Sequence, residues 1–180
     1  AAPTAAALAP HIRSARLLVL NSPMNPAGTV MTVPQMRAIC ELVLAENARR
    51  KASGERLLYL LYDQVYRMLT FGEARHVTPP EVAPAMVEYT LFADAVSKCF
   101  AATGLRVGWM VAPPHITGRI RSLMTHVGAW APKPEQVATA QLLLDQPAID
   151  AYLTEFKAAI QMRLDRIYSA VMRWKAAGLP

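Results

Sequence analysis

Apolar residues along the chain follow two rhythms. Residues 16–20 (RLLVL), 57–62 (LLYLLY), 89–93 (YTLFA) and 107–112 (VGWMVA) are short, nearly continuous apolar runs. Their length suits buried strands and falls short of helices. Between the first two runs, Met36, Ile39, Cys40, Val43 and Leu44 recur at helical spacing. Thr32 and Gln35 form a T-x-x-Q start signal, Pro34 fits the first turn, and Gly54 supplies the stop. Strand, helix and strand in that order predict parallel strands joined by a crossover helix. Only a loop containing Gly104 separates the third and fourth runs, so the fourth strand is expected to run antiparallel to the third. Helices are expected near 114–127 and 134–146. Pro147 then opens a long amphipathic helix whose apolar stripe runs from Ile149 through Leu153, Phe156, Ile160, Leu164, Ile167 and Val171 to Trp174. At 1.5 Å per residue that helix spans roughly 45 Å, more than one small domain needs, so it is expected to lead toward another domain. The pattern predicts an α/β fold: a mostly parallel sheet, flanking helices and a long C-terminal helix.

Composition narrows the class. With 53% apolar residues in 180, the chain is expected to build a core. The densest apolar run, 57–62, is far shorter than the roughly 20 residues of a membrane-spanning helix. The opening AAPTAAALAP has no basic segment and is not read as a signal peptide; it resembles a chain taken up partway. The net charge of +6 is spread out, with 9 basic and 7 acidic residues up to position 90 and 10 and 6 beyond. Nucleic-acid sites gather their basic residues in a stripe. The one tight cluster, ARRKAS at 48–53, sits at a predicted helix end, where cations suit the dipole. Neither a nucleic-acid nor a membrane partner is expected. Cys40 and Cys99 are too few for a disulfide framework and are expected to be small buried residues. The four histidines are scattered, and no metal site is expected. A cytoplasmic setting follows as the default.

Polar residues gather just past the ends of the apolar runs: Asn25 after the first, Asp63 and Tyr66 after the second, Lys98 after the third. In open α/β sheets, ligands bind at the carboxyl ends of the strands. Arg106 joins this set if the fourth strand is antiparallel. Each residue also has a plainer reading. Asn25 suits a turn before Pro26, Asp63 suits a helix cap, Tyr66 suits packing, and Arg106 suits an ion pair with Asp94. Lys98, among small and apolar neighbours, is the hardest to account for structurally, although a lysine can snorkel to solvent.

The segments NSPMNPAG, YDQVY and SKCFAATGLRVG, in that order, resemble the class I/II aminotransferase family of fold-type-I pyridoxal-phosphate enzymes. That family carries an N-P-x-G turn, a D-x-x-Y pair and an S-K-x(7)-R-x-G segment. The matches are Asn25-Pro26-Ala27-Gly28, Asp63 with Tyr66, and Ser97-Lys98 with Arg106 and Gly108. The resemblance implies that Lys98 forms a Schiff base with the aldehyde of pyridoxal 5′-phosphate and later carries a proton, which needs an amine able to shed its own. It implies that Asp63 faces the pyridine nitrogen, that Tyr66 and Asn25 hydrogen-bond the ring's phenolic oxygen, and that Arg106 grips the phosphate with its planar fork. Ala27 stands where threonine is usual. Ala95 stands where many members place a phosphate-touching hydroxyl, and Ser97 is the candidate replacement.

The implied activity moves an amino group between an amino acid and a 2-oxo acid. The same motifs also serve β-lyases, decarboxylases, acyl-transferring synthases and the aminotransferase-like effector domains of transcription regulators. A basic binding protein without a cofactor is a further rival, one that predicts salt-dependent affinity. The resemblance divides the chain into a partial cofactor-binding large domain, 1–147, and a helix, 148–180, leading toward a small domain. It also implies a homodimer, in which the loop bearing Trp130 approaches the site across the interface, unless that tryptophan simply packs within its loop. The upstream phosphate loop and the arginine for the substrate α-carboxylate fall outside these residues.

Overall fold

The four apolar runs form one sheet whose spatial order, β1-β2-β3-β4, is also their order in the chain. In a computed structural model that describes residues 2–178, the strands are β1 (Leu17–Asn21), β2 (Tyr59–Asp63), β3 (Thr90–Ala95) and β4 (Gly108–Val111). The first three are parallel. β4 runs antiparallel to β3, with Ala95 opposite Gly108, as the short connection requires. Hydrogen bonding carries the strands past the apolar runs that announce them. Asn21 pairs with Asp63, and Asp63 with Ala93, so β1 and β2 end level and β3 runs two residues further, to Ala95. Asp63 is therefore the last residue of β2 rather than a residue in the loop beyond it.

Helix α1 (Ala5–Leu8) is a single turn, and α2 (Val33–Ser53) is the crossover between β1 and β2. Thr32 caps α2 in a reciprocal box with Gln35, and Gly54 ends it at φ +68°. Met36, Ile39, Cys40 and Val43 form its buried face, packed with Leu20, Leu60 and Tyr62 of the sheet. Further along that face are Glu46, Asn47 and Arg50, all buried. Asn47 acts as a substitute strand: it accepts from the Leu58 amide at 2.8 Å and donates to the Leu58 carbonyl at 2.9 Å. Arg50 binds Glu46 at 2.7 Å and donates to the carbonyls of Ile12, Arg13, Ala15 and Arg56, tying the N-terminal segment to the helix end.

The β2–β3 connection holds α3 (Pro79–Val82) and a 3₁₀ turn at Pro84–Glu88. One-turn helices leave no periodic trace in sequence, and neither is predicted from it. After β3 come α4 (Val96–Cys99) and a 3₁₀ turn at Thr103–Leu105; after β4 come α5 (Pro114–Val127) and α6 (Lys133–Leu144). The chain divides into two compact units, one ending at Gln136 and one beginning at Val137. The second unit contains the 31-residue α7 (Gln146–Ala176), whose first turn is capped by Asp145 accepting from the Ala148 amide at 3.1 Å. Its apolar stripe is buried at Ile149 but exposed at Leu164, Ile167, Val171 and Trp174. Among the described residues no helix is long and apolar enough to cross a membrane.

Candidate active site

The candidate site is built on the carboxyl ends of β1, β2 and β3 and on the segments that leave them. Asn21 closes β1 and uses both ends of its carboxamide. Nδ2 donates to the Asp63 carbonyl at 3.1 Å, and Oδ1 accepts the Asn25 amide at 2.8 Å. The loop beyond is pinned by Met24 N to Thr29 O and by Gly28 N to Met24 O, both 2.8 Å, and by Met31 N to Ser22 Oγ at 3.0 Å. Gly28 takes φ +64°, which a residue without Cβ adopts freely. Asn25 is held by its backbone amide and is exposed.

Asp63 is half-buried, and its Oδ1 accepts the Val65 amide at 3.1 Å. That bond starts the turn that carries Tyr66; Asp63 caps this turn, and no helix follows it before α3. At the end of β3 the chain enters α4, which carries Ser97 and Lys98. Val96 and Cys99 are buried, whereas Ser97 and Lys98 are half-buried. Lys98 therefore lies at the rim of the core rather than within it. Its Nζ stands 5.9 Å from the centroid of the Tyr66 ring, a cation–π contact. Among the described residues it has no carboxylate partner.

Arg106 enters through the antiparallel β4. Val96 N bonds Val107 O at 3.3 Å, which sets Arg106 beside the α4 turn. Arg106 takes φ +57° and spends one donor, Nη1, on the Thr103 carbonyl at 2.9 Å. The rest of its exposed guanidinium remains available. Asp94 is not its partner: that carboxylate is bound by Arg67 Nε at 2.6 Å. At Gly108 the approach is close: a Cβ there would lie 3.0 Å from the Asp94 carbonyl oxygen and 3.3 Å from the Ala95 Cβ, so its neighbours would have to give by a few tenths of an ångström.

The sequence reading did not foresee Asn21, Gln64 or Arg67, and it named Asp94 only as a partner for Arg106. Gln64 Nε2 approaches Asp94 Oδ2 at 3.4 Å, and its Oε1 lies 3.3 Å from His76 Nε2. With the amide directed this way, His76 donates through Nε2. Its ring stacks on Tyr62 at 5.6 Å, and burial, aided by Arg67, holds the imidazole below its ordinary pKa. Both cysteines are buried and free. Burial pushes the Cys40 thiol up to about 11 and raises that of Cys99 as well. Trp130 is 52% exposed and so is not a packed loop residue.

The sequence profile described as "Aminotransferase class I and II" matches residues 3–178. The chain belongs to the class I and II aminotransferase family. It is 31% identical over 152 residues to a probable N-succinyldiaminopimelate aminotransferase of Mycobacterium tuberculosis, covering 84% of this chain and 35% of that protein. It is 30% identical to a kynurenine–oxoglutarate transaminase of Dictyostelium discoideum, covering 87% of this chain and 34% of that one. The structure of an aspartate aminotransferase from Thermus thermophilus superposes with a TM-score of 0.84 at 26% identity, over 97% of this chain and 42% of the other. The chain thus spans about a third of the length of these curated relatives.

The family is generally pyridoxal-phosphate-dependent, and the donor set of this chain fits that cofactor. An amine without a carboxylate partner, a half-buried carboxylate, a phenol and a partly free guanidinium stand on neighbouring strand ends. They complement an aldehyde, a protonated ring nitrogen, a phenolate and a phosphate.

Proposed function

We propose that the protein carrying this chain is a pyridoxal-phosphate-dependent aminotransferase that moves an amino group between an amino acid and a 2-oxo acid. The observation that carries this reading is Lys98, a half-buried amine held over the Tyr66 ring beside the Asp63 turn, in a chain of this family. Pyridoxal phosphate, when bound, supplies an aldehyde for amines and a ring that accepts electrons. Lys98 Nζ is the attachment point and, once displaced by substrate, moves the proton at the substrate α-carbon. The Asp63 carboxylate accepts the ring N–H and keeps that proton in place. The Tyr66 hydroxyl and the Asn25 carboxamide donate to the phenolic oxygen. Arg106 binds phosphate through the nitrogens that Thr103 leaves free, and Ser97 adds a hydroxyl on the same turn. A homodimer and a cytoplasmic setting complete the reading.

The test is to incubate the complete protein with pyridoxal phosphate, reduce with borohydride and map the modified peptide. The adduct is expected on Lys98; an adduct on another lysine, or none, refutes the assignment. A panel of amino donors and oxo acids then identifies the substrates and separates transamination from elimination or decarboxylation.

A further inference from the structure

Two tethers, drawn from residues outside the proposed cofactor contacts, join the Tyr66 turn to the Lys98 turn. In the first, Arg67 Nε donates to Asp94 Oδ2 at 2.6 Å. The Asp94 side chain is only 4% exposed, and its second oxygen accepts the Ala95 amide at 2.8 Å, fixing the junction where β3 becomes α4. In the second, the Cys99 thiol donates to the Val65 carbonyl at 3.2 Å. Val65 and Arg67 flank Tyr66 in the chain, and Cys99 directly follows Lys98. The ring and the ammonium, 5.9 Å apart, therefore sit between two cross-links. A further bond, Gln64 N to Ala93 O at 3.0 Å, continues the β2–β3 ladder into the Tyr66 turn.

We propose that Arg67, Asp94 and Cys99 are positioning residues that set the place of the Lys98 amine relative to the Tyr66 turn. This rests on the cofactor reading above. A buried charge-assisted hydrogen bond is directional, and a side chain with four rotatable bonds, such as lysine, is placed by its backbone and its neighbours. The clamp governs the step in which Lys98 nitrogen bonds the aldehyde carbon and the aldehyde oxygen leaves as water. It does not govern binding through phosphate or ring contacts alone.

The test compares two cofactor forms on the complete, cofactor-stripped protein. Pyridoxal 5′-phosphate needs Lys98 for its covalent bond, whereas pyridoxamine 5′-phosphate binds only through non-covalent contacts. Arg67→Ala leaves the Asp94 charge buried and unpaired, which endangers folding. Arg67→Met combined with Asp94→Leu removes both charges and keeps the volume apolar, a change buried pairs often tolerate. That double variant is expected to bind the aldehyde form about tenfold more weakly, an ordinary coupling for contacting groups, and the amine form within about twofold. Cys99→Ala is expected to show the same selectivity to a smaller degree, and Cys99→Ser, which restores a donor, to recover it. Equal weakening of both forms, or no change in either, overturns the clamp. If the parent protein binds neither form, the cofactor reading fails and the clamp falls with it, a pattern distinct from either result in the variants.

Discussion

Arg106 sits between two glycines for which the structure predicts opposite responses. Gly104 and Gly108 lie two residues before and after it. A Cβ at Gly104 meets nothing within 4 Å, whereas a Cβ at Gly108 would stand 3.0 Å from the Asp94 carbonyl oxygen. Changing glycine to alanine at a compatible site stabilises by about 0.4–1 kcal/mol by restricting the unfolded chain. That gain is common to both variants and cancels in their comparison. The difference isolates the overlap at Gly108, which lies on backbone that is itself paired across β3 and β4. Overpacking of this kind costs about 1–3 kcal/mol. Hydrogen exchange of peptides from β4, measured on the complete protein, reads that difference locally. Gly108→Ala is expected to exchange about 5- to 150-fold faster than Gly104→Ala there, the same energy converted at about tenfold per 1.4 kcal/mol. Phosphate-dependent cofactor affinity should fall with it, since Arg106 is carried by the displaced strand. Equal exchange in the two variants refutes the close-approach account of Gly108.

Asn47→Leu leaves the buried Leu58 amide and carbonyl without partners, so a loss of about 2–4 kcal/mol is expected in urea unfolding; a loss under about 1 kcal/mol contradicts it. Hydrogen bonds from Arg49, then Arg50, hold the Glu46 carboxyl at about 2 against an ordinary value of 4.5. The folded state therefore binds fewer protons than the unfolded chain, and the stability Glu46 supplies is lost as pH falls from about 4.5 toward about 2. Glu46→Gln should show a smaller drop in urea midpoint between pH 5 and pH 3 than the parent, and an identical drop would sink the assignment. Asp63→Ala should still allow borohydride trapping on Lys98 but slow transamination by about 100-fold, the scale of losing one fixed electrostatic partner; near-normal turnover excludes the role given to the carboxylate.

The strands, the α2 crossover and the antiparallel return of β4 were legible because apolar runs and helical periods record burial directly. Thr32, Gln35 and Gly54 marked the ends of α2 because caps need particular side chains at fixed offsets. The order of Asn25, Asp63, Tyr66, Lys98 and Arg106 gave the candidate set by resemblance, and the topology places each on the corresponding strand end or turn. The tethers were not legible. Arg67 and Asp94 are 27 residues apart, and nothing in periodicity links two charges that meet only once β2 and β3 are paired. Cys99 read as a small apolar residue, and it is one; its bond to the Val65 carbonyl depends on where two turns come to rest. Strand ends moved for a similar reason, since Asn21 and Asp63 are polar but the backbone ladder extends through them.

The sheet order β1-β2-β3-β4 bears on how the chain acquires its fold during synthesis. As the polypeptide emerges, each new strand meets an edge already present, and none has to wedge between two that are paired. Domains fold as units, N-terminal ones first during synthesis, and neighbouring strands joined in sequence keep the search within a unit short. The prospective ligand groups are delivered in the same succession: the asparagine loop, the aspartate–tyrosine turn, the lysine, and last the arginine. Within this segment, the order of translation is also the order of the strands across the sheet.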